Sequence, residues 1–167
     1  MGEEYRAPYD MQLGSGTYDL KPTLTYTDLS ADDKWNWGVQ VGYTYHMGKN
    51  GNDYVLGDSF KFTGWLQRAF GPATSWLRMA YSETDHIKGT DAEIDKLNHP
   101  ETGMGVPAPD ADPANYGGQR LDAMLGVSFS KGSFSIGIEG GVPVYQYLNG
   151  LQMKTTWFIN SGVRIMF

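Results

Sequence analysis

The sequence predicts an all-β chain: an antiparallel up-and-down transmembrane β-barrel with about seven strands visible. Three observations predict it. Long stretches alternate apolar and polar residues with a period of two, the pattern of a strand with one apolar and one polar face. No run reaches the roughly 18–20 apolar residues of a spanning helix, and a barrel needs none, because it gives only every second residue to lipid. The connections run short, long, short, very long, short, short along the chain. Barrels of this kind gather tight turns at one membrane face and long loops at the other.

The first strand spans about Thr17 to Thr27. Tyr18, Leu20, Pro22, Leu24 and Tyr26 form one face, and Asp19, Lys21, Thr23, Thr25 and Thr27 the other. Ser30 to Lys34 is a short turn. The second strand, Trp35 to Gly48, sets Trp35, Trp37, Val39, Val41, Tyr43, Tyr45 and Met47 against Asn36, Gln40, Thr44 and His46. Lys49 to Asp58 is a loop with Asn-Gly turn chemistry. The third strand, Ser59 to Phe70, sets Phe60, Phe62 and Leu66 against Lys61, Thr63, Trp65 and Gln67, and Gly71-Pro72 turns the chain.

The fourth strand, Ser75 to about Asp85, opposes Leu77, Met79 and Tyr81 to Trp76, Arg78 and Ser82. A long Pro-, Gly- and Asp-rich stretch follows and reads as an exposed loop. The fifth strand, Gln119 to Ser130, alternates Leu121, Ala123, Leu125, Val127 and Phe129 with Arg120, Asp122, Met124 and Ser128. After Lys131-Gly132, the sixth strand runs from Ser133 to about Tyr147, with Glu139, Pro143 and Tyr145 on its polar face. Asn149-Gly150 is a two-residue hairpin signal. It leads into the cleanest alternation of all, a seventh strand expected from Leu151 to Phe167.

At 167 residues the chain reads as one domain: a loop segment at 1–16, then strands over 17–167 with a long external acidic loop at 90–118. Within that loop Asp91, Glu93, Asp95, Glu101, Asp110 and Asp112 face a single lysine, Lys96, so most of the net charge of −6 is local. Nucleic acid is therefore not expected as a partner. The hydrophobic content of 40% and the mean hydropathy of −0.44 fit a soluble protein equally well. Cysteine is absent, which excludes disulfides and thiolate metal sites. The opening MGEEYRAPYD is polar and acidic and carries no signal peptide. Seven strands is an odd number, whereas single-chain bacterial barrels have even ones. The strands are therefore expected to be part of a larger barrel, or one contributor to a multi-chain barrel.

A strand that closes a chain on an aromatic residue resembles the terminal strand of a bacterial outer-membrane barrel. More specific are Met11-Gln12-Leu13-Gly14-Ser15-Gly16-Thr17-Tyr18-Asp19-Leu20, Gly117-Gly118-Gln119-Arg120-Leu121-Asp122 and Glu139-Gly140-Gly141-Val142-Pro143-Val144-Tyr145-Gln146-Tyr147-Leu148-Asn149-Gly150-Leu151-Gln152. Over most of residues 11–167 these resemble the outer-membrane transporter family named for the meta-pathway of phenol degradation. The resemblance implies passive uptake of small organic, including aromatic, solutes across a bacterial outer membrane. It implies further strands before the GSGTYDL segment. It also implies lipid and lipopolysaccharide as surroundings, and recognition of the carboxy-terminal strand by the barrel-assembly machinery.

The polar faces supply the lumen-lining candidates: Asp19, Lys21, Gln40, His46, Lys61, Gln67, Arg78, Arg120, Asp122, Glu139, Gln152, Lys154 and Arg164. Mixed charges there can pair across strands and shape a polar conduit, or only keep an interior solvated and the register fixed. Arg120, Asp122 and Glu139 are the expected ion-pair cluster. Trp65 and Trp76 fall on the polar side, where they could stack on a solute or fill space. Trp35, Trp37, Tyr43, Tyr45, Trp157 and Phe167 are the expected aromatic girdle at the membrane interfaces, with a sandwich core as the rival reading.

His46, His86 and His99 lack ligand spacing, so no metal and no other cofactor is expected. Gly14-Ser15-Gly16 has neither the strand-turn-helix context of a nucleophile elbow nor a following Gly-Lys-Ser/Thr, and no catalytic residue or enzyme activity is expected. Two alternatives to a channel stand: a plugged structural or adhesion barrel, and a soluble β-barrel that holds an apolar ligand inside.

Overall fold

A computed structural model describes residues 6–96 and 108–167. Its elements are β1 (Tyr18–Leu20), β2 (Thr23–Leu29), β3 (Trp35–Met47), β4 (Tyr54–Val55), β5 (Ser59–Phe70), β6 (Ala73–Thr84), β7 (Lys88–Gly89), α1 (Ala92–Asp95), β8 (Gly118–Lys131), β9 (Phe134–Leu148) and β10 (Phe158–Ile165). The chain is all-β and the pairing is antiparallel throughout. The main sheet runs β1/β2, β3, β5, β6, β8, β9, β10, while β4 pairs only with β7. Among the described residues the sheet stays open. β1/β2 forms one edge and β10 the other, and both run in the same direction, from the loop end to the turn end.

β1 and β2 are two halves of one edge strand, since Leu20↔Tyr45 and Thr23↔Gly42 keep a single register on β3. Pro22 separates them. Its carbonyl accepts the Tyr43 amide at 3.1 Å, but it has no N–H to return. An edge strand is where a sheet tolerates that loss. Tight turns at 30–34, 71–72 and 132–133 all lie at one end of the sheet, and the segments 48–58, 85–117 and 149–157 lie at the other.

The last strand is shorter than its alternation predicts. Leu151–Trp157 joins no ladder, and the pairing with β9 begins only at Phe158↔Gly141. Proline is again the cause. The bond from the Met166 amide to the Ser133 carbonyl sets the phase in which odd-numbered residues of β9 serve β10. Pro143 is the next odd position beyond Gly141 and has no N–H to give. β9 also bulges there: Leu121 pairs with Tyr145 but Asp122 with Pro143, so Val144 is the extra residue. The bulge reverses the alternation above it. Tyr145, expected on the polar face, is turned outward beside Tyr147, and Gln146 takes the inner side.

The sheet has almost no core of its own. Its apolar face lies open along its whole length, with Leu125 at 68% exposure in mid-strand. Among the described residues, every buried apolar side chain except Met124 of β8 gathers instead at the loop end: Tyr9, Tyr54, Ile87, Ile94 and Ala111, with Leu56, Ala108 and Tyr116 packed against them. The described part of the acidic stretch is thus a folded cap. Asp91, 1% exposed, caps α1 by accepting the Glu93 amide at 2.8 Å. It also takes Arg6 Nη1 at 2.5 Å, and its own amide donates to the Tyr9 hydroxyl at 3.0 Å. Tyr9 meets Tyr54 and Tyr116 edge to face at 4.8 and 5.7 Å.

Burial, reinforced by the carboxylates of Asp10 and Asp110, pushes the Tyr116 phenol up to about 12. An unfolded tyrosine ionises near pH 10. The cap therefore keeps this contribution in full below about pH 10 and loses it as pH rises from there toward 12. Tyrosinate absorbance at alkaline pH should lose its latest-titrating phenol in Tyr116→Phe.

Candidate functional site

Backbone register places Asp19, Lys21, Gln40, His46, Lys61, Gln67, Arg78, Arg120, Asp122, Glu139 and Arg164 on one face of the sheet. Gln152 and Lys154 lie in a segment that joins no ladder, so the register assigns them no face. Gln152 instead donates to the carbonyls of Gly117 and Asn149, each at 2.7 Å, and ties the segment to the loop end. Trp35, Trp37, Tyr43 and Tyr45 occupy the opposite, exposed face of β3. Trp157 and Phe167 flank β10 and are exposed as well.

The polar face holds a cavity of about 640 Å³, bounded by β3 on one side and β10 on the other. Its centre is Glu139, 5% exposed in spite of its charge. The Trp76 indole donates to Glu139 Oε2 at 2.7 Å, Arg78 Nη2 forms an ion pair with Oε1, and Asn160 Nδ2 reaches Oε1 at 3.4 Å. A buried carboxylate survives when its lone pairs are met in this way.

The expected cluster of Arg120, Asp122 and Glu139 forms only in part: Arg120 pairs with Asp122, and Glu139 pairs elsewhere. Arg120 turns to its own strand, with Nε on Asp122 Oδ1 at 2.7 Å, Nη1 on Thr155 Oγ1 at 3.2 Å and its guanidinium over the Phe158 ring at 5.2 Å. Glu139 looks instead across β8 to β6. Gly126, directly opposite Glu139, makes that possible, because the Trp76 indole lies on it: a Cβ there would sit 2.2 Å from the ring.

A second indole is laid down in the same way. Trp65 covers Gly38, where a Cβ would come within 2.4 Å, and donates to Asn36 Oδ1 at 3.1 Å. Each tryptophan thus packs its indole against a glycine of the neighbouring strand, and both line the cavity with Gln40, Thr63 and Gln67. Pairing large aromatics with glycines across strands is a signal the sequence does carry, but it becomes readable only once the register is known.

At the loop end of the same face Asp19 accepts from Ser15 Oγ at 2.9 Å and from Thr17 Oγ1 at 2.8 Å, with Lys21 Nζ at 3.3 Å. His46 stands between two carboxylates, with Nε2 3.9 Å from Asp19 and Nδ1 3.5 Å from Asp58, which also accepts the His46 amide at 2.8 Å. His86 lies in the loop between β6 and β7. His99 and Glu101 are outside the described residues. Among the described residues no group of three or more His, Asp or Glu is arranged to hold a metal ion, and no helix is long and apolar enough to cross a membrane.

No family model matches the chain, nor does any curated protein or solved structure.

Proposed function

We propose that this sheet is the larger part of a membrane-spanning β-barrel of the bacterial outer membrane, acting as a passive channel or facilitator for small organic solutes. One observation carries the reading. The continuous apolar face is exposed and has no partner among the described residues, while the cavity and the ion pairs of the sheet itself are on the other face. In water such a face is costly at about 25 cal/mol per Å²; in a bilayer it is the surface that lipid requires. The aromatic residues fit the same frame. Trp35 and Tyr45 lie ten residues apart on β3, about 33 Å along the strand. At a tilt of about 40° that spans roughly the 25 Å apolar band of such barrels.

In this reading further strands close the open sheet, and the cap at the loop end faces outward over the mouth. Lipid and lipopolysaccharide surround the barrel, and the assembly machinery reads β10. The family resemblance of the Met11–Leu20, Gly117–Asp122 and Glu139–Gln152 segments supports the transport role and the class of small organic, including aromatic, solute.

The test is refolding into lipid vesicles followed by gel mobility with and without boiling, then solute flux. A compact band that shifts on boiling, together with flux, is the expected outcome. A compact band without flux would favour the plugged barrel. A folded monomer that is soluble without detergent would overturn the membrane reading.

A further inference from the structure

Arg68 breaks the pattern of the apolar face. It is the one cation that β5 puts on that side, exposed at the turn end and directly across from Trp35. Its guanidinium carbon lies 5.0 Å from the centre of the Trp35 ring and 4.9 Å from that of Phe70. Ring contacts of this kind do not consume N–H donors. Among the described residues those donors have no hydrogen-bond or ion-pair partner. Asp28, on the same face at the turn end of β2, already takes the Tyr26 hydroxyl at 3.4 Å and the Leu29 amide at 2.8 Å. Lys131 ends β8 on the same rim, but there with no ring contact among the described residues.

We propose that Arg68, held by Trp35 and Phe70, is a binding site for the phosphodiester of an anionic phospholipid in the leaflet at the turn end. The proposal rests on the membrane reading and assigns one lipid contact within it. In that reading the cap points outward, so the turn end meets the leaflet away from lipopolysaccharide. An arginine on the lipid face is costly at mid-bilayer and tolerated near an interface. Trp35 marks that depth, because indoles settle at the headgroup level.

A planar guanidinium with free donors along its edge fits two oxygens of one phosphate. A zwitterionic headgroup offers the same phosphate together with its own ammonium, so the anionic lipid is preferred. The two rings hold the side chain in place before the lipid arrives, which reduces the freedom it loses on binding. Lys131 brings the same charge to the rim without that support, and its ammonium has no planar fork.

The experiment reads the lipid beside Trp35. The reporter chain carries Trp37→Phe and Trp157→Phe, both at exposed positions, which leaves Trp35 as its only tryptophan off the polar face. It is refolded into phosphatidylcholine vesicles that contain either phosphatidylglycerol or phosphatidylcholine brominated near the top of the acyl chain. Bromine quenches an indole at contact, so the loss of Trp35 fluorescence counts the lipid next to Arg68. Phosphatidylglycerol is expected to take that place about fivefold more readily than phosphatidylcholine, a difference of about 1 kcal/mol. Arg68→Gln should abolish the preference, Lys131→Gln should keep it, and excess inorganic phosphate should leave it unchanged. Equal quenching by the two lipids, a preference that survives Arg68→Gln, an equal loss in Lys131→Gln, or displacement by inorganic phosphate would each overturn the proposal. Gel mobility of the same samples separates it from the reading beneath it. A compact band that shifts on boiling without a lipid preference sinks the phosphate site alone, and a chain that does not enter the vesicles sinks both.

Discussion

Leu125→Arg should destabilise the chain refolded in lipid vesicles by about 2–4 kcal/mol, the cost of an arginine on the lipid face at mid-bilayer. Leu125 is in the middle of β8, on the apolar face and without cover. In water the same change would be close to neutral, within about 0.5 kcal/mol, because an exposed leucine contributes little. The sign and size of the effect therefore report on the solvent of that face. Thr63→Arg is the companion measurement. It places the same side chain on the polar face of β5 and should cost less than about 1 kcal/mol. Urea titration of both variants in vesicles, followed by the loss of the compact gel band, reads the difference. Equal tolerance of the two arginines would remove lipid from the account.

Gly126→Val should be strongly destabilising. Any Cβ at 126 meets the Trp76 ring at 2.2 Å. The indole must then lift off β8 and withdraw its N–H from Glu139. Overpacking of this kind costs about 1–3 kcal/mol. Losing a hydrogen bond to a buried carboxylate adds about 1.5–3 kcal/mol. Together they put the loss at roughly 3–5 kcal/mol. Gly140→Ala, one strand away, is the control: nothing stands within 4 Å of its Cβ, and the change should be neutral or slightly stabilising. A variant pair that unfolds at the same denaturant concentration would mean that Trp76 is not held as described.

The regular part of the fold was legible because alternation reports which face a residue takes. Trp35–Met47 and Ser59–Phe70 could be assigned to within a residue, and the turns at 30–34, 71–72 and 132–133 announced themselves through short polar or Gly-Pro stretches. Alternation says nothing about whether a neighbouring strand is present. That is why Leu151–Trp157 read as strand although it never pairs. The information was in Pro143, on the other strand, whose missing N–H matters only once the hydrogen-bonding phase is known. Tyr145 was placed on the wrong face for a related reason, since one bulged residue at Val144 inverts all that follows.

The candidate site shows the same division. Its residues were visible as polar positions, but the partner of Glu139 was not. Arg120 looked nearer in sequence, whereas Arg78, two strands away on β6, is the residue that reaches it. The cap was hidden altogether. Tyr9, Tyr54 and Ile94 come from three separate segments with no period to connect them, and only the Asp91-Ala92-Glu93 start of α1 carried a recognisable local signal.

The shared direction of the two edge strands fixes the arithmetic of closure. β1/β2 and β10 both descend from the loop end to the turn end, so joining them directly would make a parallel seam. An all-antiparallel ring needs an intervening set of strands that begins and ends with an ascending one, and such a set is odd in number. A second copy of this sheet with its cap on the same side does not qualify: it presents a descending strand at each seam. The hydrogen-bonding phases agree. Lys21, Thr23, Thr25 and Thr27 hold out the unpaired backbone groups of one edge, on polar-facing residues. Ile159, Ser161, Val163 and Ile165 do so at the other, on residues of the apolar face. A single ascending strand, whose alternate residues point their amides to opposite sides, would meet both edges at once.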